Sequence, residues 1–181
     1  MAARSQPGRA RWCSINKPLQ RGTAALETAL LLPVLILLLI GTLEIGRIAY
    51  TYYAVQKVLY GLARTLSTQQ GVNFCDNGDS NVLSAKAYVL TGTGDGSAAP
   101  LIGDLAADQI SVRLEQVDPN TGALNECACA VPGCDTANGG TAPDFIVVSL
   151  PNGYPITPHI PLLPMDPIPL RPVVRMPYGG T

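Results

Sequence analysis

The sequence predicts an α+β protein: a long N-terminal transmembrane and amphipathic helix, a small exported domain with an antiparallel sheet, and a Pro-rich C-terminal segment. Three observations predict it. No charged residue occurs between Glu27 and Glu44. Apolar residues recur every three or four positions from Ile48 to Leu66. Apolar and polar residues alternate along 109–117, and prolines crowd the chain from Pro151 onward.

The helix comes first. Residues 23–46 carry only two ionisable groups, Glu27 and Glu44, one near each end. About 20 apolar residues rising roughly 1.5 Å each cover a hydrocarbon core of roughly 30 Å. A soluble core helix keeps a polar face, and residues 30–40 have none. A secretory signal shares the basic start, but its apolar region runs to only about 7–15 residues. No clean A-x-A cleavage site follows before Glu44 and Arg47. The segment is therefore read as an anchor, with Pro33 expected to bend it by removing one backbone hydrogen bond.

Charge sets the orientation. Residues 1–22 hold Arg4, Arg9, Arg11, Lys17 and Arg21 and no acid, so the positive-inside rule keeps them in the cytoplasm. That segment also holds Cys13, Trp12 and Ile15, and its lack of apolar periodicity predicts disorder. After Gln70 the acids outnumber Lys86, Arg113, Arg171 and Arg175. Such an acidic exported part argues against nucleic acid as a partner. The lipid bilayer is the first partner that the sequence names.

Past Gly46 the helical pattern continues, with Ile48, Ala49, Tyr52, Val55, Leu59, Leu62, Ala63 and Leu66 on one stripe. Residues 23–69 then form one rod of about 70 Å at the standard rise. Tyr50, Tyr52 and Tyr53 fall where it leaves the membrane, the depth that amphipathic rings prefer; packing on the exported domain is the other reading. Glu44 and Arg47, three apart, form a candidate ion pair at that exit.

The domains read as a basic tail or leader over 1–22, a transmembrane helix over 23–46 and its amphipathic continuation over 47–70. A small α+β exported domain over 71–150 and a Pro-rich extended segment over 151–181 follow. Roughly 110 residues outside the membrane suffice for one small domain. Gly71 ends the helix, and the turn-rich stretch Cys75-Asp76-Asn77-Gly78-Asp79-Ser80 lacks the order of a calcium loop. A short helix over 81–90 follows, with Ser80 as its candidate N-cap. The glycine-rich stretch 91–99 fails the phosphate-binding fingerprint and reads as a flexible connector.

Residues 109–117 read as a half-buried antiparallel strand. The turn Asp118-Pro119-Asn120-Thr121-Gly122 lets 123–129 return along it. Residues 144–150, β-branched and more fully apolar, belong inside the sheet. The prolines of 151–181 exclude regular helix and permit edge strands only, so this part is expected to lie extended on the domain or on a partner.

Four cysteines fall on the exported side: Cys75, Cys127, Cys129 and Cys134. An even number in an oxidising compartment favours two disulfides, with three connectivities open. A Cys75–Cys134 bridge is unconstrained by spacing, whereas a Cys127–Cys129 bridge would be strained. Structural zinc sites use C-x-x-C knuckles, which are absent. His159 is the single histidine, set among prolines, and no nucleophile elbow, metalloprotease helix or phosphate loop occurs. The expectation is a protein without catalytic activity, cofactor or metal.

Glu27 still needs an explanation, because an ionisable group within a membrane segment costs a few kcal/mol near the bilayer centre. Snorkelling to the headgroups is the simple account; spacing supplies a sharper one. The run Arg21-Gly22-Thr23-Ala24-Ala25-Leu26-Glu27-Thr28-Ala29-Leu30-Leu31-Leu32-Pro33, continued by Glu44-Ile45-Gly46-Arg47, resembles the TadE-like family of the tight-adherence (Flp, type IVb) pilus machinery. Its start also looks like a type IV prepilin junction, where a prepilin peptidase cuts after the glycine and a glutamate occupies the fifth mature position.

That resemblance implies a minor pilin, pseudopilin or membrane assembly protein in the bacterial inner membrane. It would be single-pass, with its C-terminal domain periplasmic or otherwise outside the cytoplasm. It implies cleavage between Gly22 and Thr23 by prepilin peptidase, and a Glu27 carboxylate that pairs with a neighbour's new N-terminal ammonium. Other pilin or pilus-assembly proteins are the partners it implies. The alternative is a membrane-tethered exported binding domain unrelated to pili.

Overall fold

The computed structural model describes residues 20–76, 78–129, 133–134, 139–160 and 165–179. The basic tail with Cys13, the expected disorder of that tail, and residues 161–164 of the proline segment lie outside the described residues. By internal contacts the chain divides into two units, Met1–Thr42 and Leu43–Thr181.

One helix, α1, covers Gln20–Thr68 and continues through Pro33. In the first unit its apolar side chains are uncovered all round: Leu30 is 67% exposed, and the most apolar window of α1 has no buried residue. Here the helix is long and apolar enough to cross a membrane.

The second unit is a mixed α+β domain. In it α1 becomes one-sided, with Val55, Leu59, Leu62, Ala63 and Leu66 fully buried at spacings of four, three, one and three. The buried stripe starts later than its sequence pattern, since Ile48 is only half-buried and Ala49 and Tyr52 are exposed. The reason is that the core cluster begins at Val55; the residues before it have the right spacing but nothing to pack on.

A second helix, α2, spans Ser80–Thr91. Its N-cap is Asp79 rather than the expected Ser80: the Asp79 carboxylate accepts hydrogen bonds from the Asn81 and Val82 amides, leaving Ser80 inside the first turn. The Asp79 carboxylate also accepts from the Asn73 amide, so the cap ties the end of the α1–α2 linker to α2. Gly92, at φ +79°, supplies the left-handed C-cap and donates to the Tyr88 carbonyl. The loop after it is tied by hydrogen bonds, with Thr93 N donating to Thr91 Oγ1 at 3.2 Å and Leu101 N donating to the Leu90 carbonyl at 2.7 Å.

Six strands follow: β1 (Ser111–Val117), β2 (Leu124–Glu126), β3 (Phe145–Ser149), β4 (Tyr154–Ile156), β5 (Ile168–Leu170) and β6 (Val173–Pro177). They form two antiparallel sheets, β2-β1-β3-β6 and β4-β5. The apolar strand β3 lies inside the larger sheet, as its composition predicts. Proline-bearing β6 lies at an edge, where a missing N–H costs no ladder bond. Strand β2 is shorter than the 123–129 alternation suggested, because Cys127 and Cys129 are drawn off into disulfides.

Register explains the two faces of the larger sheet. Leu114, Ile146 and Met176 are cross-strand partners, as are Val112, Val148 and Val174, and these rows join the core with α1 and α2. One residue along, Arg113, Val147 and Arg175 form the outward row. Val147 is nonetheless buried, flanked by arginines whose aliphatic stems can cover it. Their charges pair with Glu126 at 3.5 Å and Glu115 at 2.7 Å.

Two disulfides staple the domain: Cys75–Cys129, closing a sequence separation of 54, and Cys127–Cys134, closing 7. Neither bridge of the Cys75–Cys134 and Cys127–Cys129 pairing forms. The Cα–Cα distances of 5.3 Å and 5.7 Å suit the bridges found.

Candidate assembly segment and its exit from the membrane

Gly22, Thr23, Glu27, Glu44 and Arg47 lie along α1, whereas the four cysteines read from the sequence lie beyond it. Gly22 opens the described side chains; a Cβ placed there would meet nothing within 4 Å. Thr23 and Glu27 follow on the exposed surface of the first turns. Just past Glu27, Thr28 Oγ1 donates back to the Ala24 carbonyl at 2.8 Å, satisfying a hydroxyl that apolar surroundings would otherwise strand. Farther along, Thr42 does the same to Leu39 at 2.8 Å. Every polar side chain between the two glutamates is thus hydrogen-bonded to its own helix, and the exposed surface is left to aliphatic atoms.

An aliphatic surface of this size on a helix needs a nonaqueous neighbour. At about 25 cal/mol per Å² of apolar area, leaving each such leucine in water forfeits roughly 1.5–3 kcal/mol. Along 30–39 alone, eight leucines, isoleucines and valines besides Leu30 are exposed: Leu31, Leu32, Val34, Leu35, Ile36, Leu37, Leu38 and Leu39. The sum is far beyond what a marginally stable domain could offset.

The exit is built differently. Glu44 and Arg47, one turn apart, form an ion pair at 3.0 Å, with the Glu44 side chain mostly covered. Arg47 reaches further: its Nη2 donates to the Thr157 carbonyl and lies 3.2 Å from His159 Nδ1. The guanidinium therefore ties the helix to the chain leaving β4. Leu170 of β5 borders the same stretch, beside Ile45, Ile48 and Tyr52. The small sheet is thus fastened to the start of the second unit. Gly153, at φ +75°, makes the turn into β4, where an added Cβ would meet Pro169 Cβ at 2.8 Å.

Sequence reasoning placed Glu44 beside Arg47 but missed Thr157 and His159. Their only signal was negative: a lone histidine with no acid nearby in sequence has its partner elsewhere. Tyr50 and Tyr53 stand out from the same stretch at 77% and 68% exposed, with Tyr52 edge-on to Tyr53 at 6.0 Å between ring centroids.

Elsewhere in the domain Lys86, Tyr154 and Asp79 are among the titrating groups displaced from their ordinary values. Burial pushes Lys86 down, partly countered by Asp108, while its Nζ donates to the Ile110 carbonyl at 2.9 Å. Burial raises the Tyr154 phenol, with Asp104 adding to it. For Asp79 burial acts upward, but three backbone amides outweigh it and hold the carboxyl below its ordinary value. Cys75, Cys129, Cys127 and Cys134 are all held in disulfides, so none is a free thiolate.

Residues 22–64 match the family described as TadE-like protein. The matched segment runs from Gly22 through the uncovered apolar turns and the Glu44–Arg47 exit to Arg64, within a turn of the end of α1. No curated protein and no solved structure matches the chain.

Proposed function

We propose that this chain is a TadE-like minor pilin or pseudopilin of a bacterial tight-adherence pilus, acting through contacts of α1 and of its exported domain. One observation carries the reading: within the family-matched segment, Glu27 sits five residues past Gly22 on a helix whose apolar surface is left exposed among the described residues. In the inner membrane, lipid covers that surface. In an assembled filament, neighbouring helices would cover it instead. Prepilin peptidase would cut after Gly22, giving Thr23 a new ammonium. A lone carboxylate in that setting is expensive, and a neighbour's ammonium offsets the cost in low dielectric.

The test is Glu27→Ala in cells that make the pilus. The variant should still insert and form its disulfides, because Glu27 belongs to the first unit and the cysteines to the second, while assembly into pili falls about tenfold or more. Normal pili from that variant would count against the pairing role. A tether for an unrelated binding domain would tolerate the substitution in every assay.

A further inference from the structure

In the membrane reading, α1 meets lipid headgroups as it leaves the hydrocarbon. That layer adds roughly 5–7 Å on each side, or about four to five helical residues at the standard rise, so a span over 23–46 keeps residues 47–51 at headgroup level. Whatever the domain fastens to this stretch is held there too. Two contacts fasten the hairpin of β4 and β5 to it. Arg47 donates to the Thr157 carbonyl just past β4, and Leu170 of β5 lines a shallow apolar depression with Ile45, Ile48, Ala49 and Tyr52.

The same contacts orient the hairpin. Helical side chains lean toward the N-terminus, and Arg47 does so, pairing with Glu44 one turn back. The Thr157 end of the hairpin is therefore level with Glu44 and Arg47, whereas Leu170 lies beside a stretch centred on Ala49. Ile168 is the cross-strand partner of Ile156, the residue before Thr157, and shares a strand face with Leu170. It thus sits nearer the N-terminal end of α1 than Leu170 does. Ile156 is buried, yet Ile168 is 39% exposed, and Met165, three residues earlier, is exposed with it. On α1, Leu43 and Ile45 are exposed as well. Over 43–53 and 154–171 the charged side chains cancel, Arg47 and Arg171 against Glu44 and Asp166.

We infer that the hairpin of β4 and β5 is a second membrane contact, which seats Ile168 and Met165 at the boundary between phospholipid headgroups and acyl chains, at the level of Ile45. A lipid surface is the occupant because the exposed aliphatic atoms of Leu43 and Ile45 continue the run of α1 that only an apolar medium satisfies. The exposed rings of Tyr50 and Tyr53 follow on the same helix, and tyrosine favours this depth. With the charges cancelled, the contact is apolar and needs no anionic lipid. Since α1 already supplies attachment, the hairpin's contribution is to give the exported domain a fixed face toward the bilayer. The inference rests on the membrane reading of α1 in the proposed function and adds the hairpin to it.

Fluorescence quenching by brominated lipid tests it. In the full chain, Trp12→Phe removes the single tryptophan and Ile168→Trp supplies a new one. The protein is reconstituted, well diluted, in phosphatidylcholine vesicles whose acyl chains carry bromine near the headgroup end. Emission from position 168 should fall to about half, as a side chain in the interfacial layer requires. Ile45→Trp in the same background should be quenched equally, and Leu124→Trp, on exposed β2, should not be quenched. Adding phosphatidylglycerol or salt should change none of these values, because the contact is not electrostatic. Disulfide formation on a non-reducing gel verifies folding, and Met165→Trp reads the same contact if Ile168→Trp fails that check. An unquenched 168 beside a quenched 45 would overturn the inference and leave the membrane reading of α1 standing. Loss of quenching at both positions would overturn the two together. Shielding of 168 only when chains are crowded would assign the patch to a second copy and would also overturn the inference.

Discussion

The two halves of α1 have similar residues and opposite fates. Leu30 and Leu35 in the first half are mostly exposed, whereas Leu59 and Leu62 in the second are fully buried. The difference lies in the intervening polar residues. After Glu44 the sequence places Arg47, Gln56, Lys57 and Arg64 off the apolar stripe, so one side is wetted and the other packs on α2 and the sheet. Between Glu27 and Glu44 no charged residue occurs and the two threonines bond back to their own helix, so only an apolar medium satisfies the whole circumference. One helix thus serves two solvents, and each half should respond only to perturbations in its own.

The largest break should come from the domain's staples. Replacing Cys75 and Cys129 by serine releases a sequence separation of 54 and should cost about 4 kcal/mol by loop-closure entropy. The Cys127–Cys134 pair should cost roughly 2 kcal/mol. Denaturant unfolding of the detergent-solubilised chain would measure both, and equal losses would contradict the account.

Next in size is the comparison itself. Leu59→Ala should destabilise the domain by about 3 kcal/mol through the cavity it leaves, while Leu35→Ala should change domain stability by no more than about 0.5 kcal/mol. The reverse should hold for insertion: Leu35→Arg should cost about 3 kcal/mol in a membrane-insertion assay. Comparable effects of the two alanine substitutions on domain unfolding would show that the halves are not separate.

The smallest effect is local. Asp79→Ala should cost about 1 kcal/mol by uncapping α2. The Asp79 carboxyl is held below its ordinary value, so its stabilisation is fully present above the unfolded-state value and disappears as pH falls through the folded one. Asp79→Asn keeps a capping oxygen and cannot titrate, so its stability should show less loss on acidification than the wild type. An unchanged acid limb would argue that other carboxylates set it.

What could be read from the sequence follows the range of the forces involved. The long apolar helix, the part of the α1 stripe from Val55 onward, strand β1 and the interior place of β3 were legible because charge-free runs and periodicity report environment directly. The N-cap was misplaced by one residue because Asp79 and Ser80 are both good caps, and the carboxylate won by also holding the Asn73 amide. The disulfide pairing was not legible, since four cysteines allow three pairings and only the fold brings Cys75 to Cys129. Nor was the tie from Arg47 to Thr157 and His159, which joins residues more than a hundred positions apart. In the family-matched segment the sequence carried the spacing from Gly22 to Glu27, and the structure added that the helix around it is exposed among the described residues.

The most direct test of the proposed function is the N-terminus of the mature protein, read by mass spectrometry from cells containing a prepilin peptidase. The account predicts a chain starting at Thr23, and loss of that product when Gly22 is substituted. A chain retaining Met1 under those conditions, or one starting beyond Gly46, would contradict it.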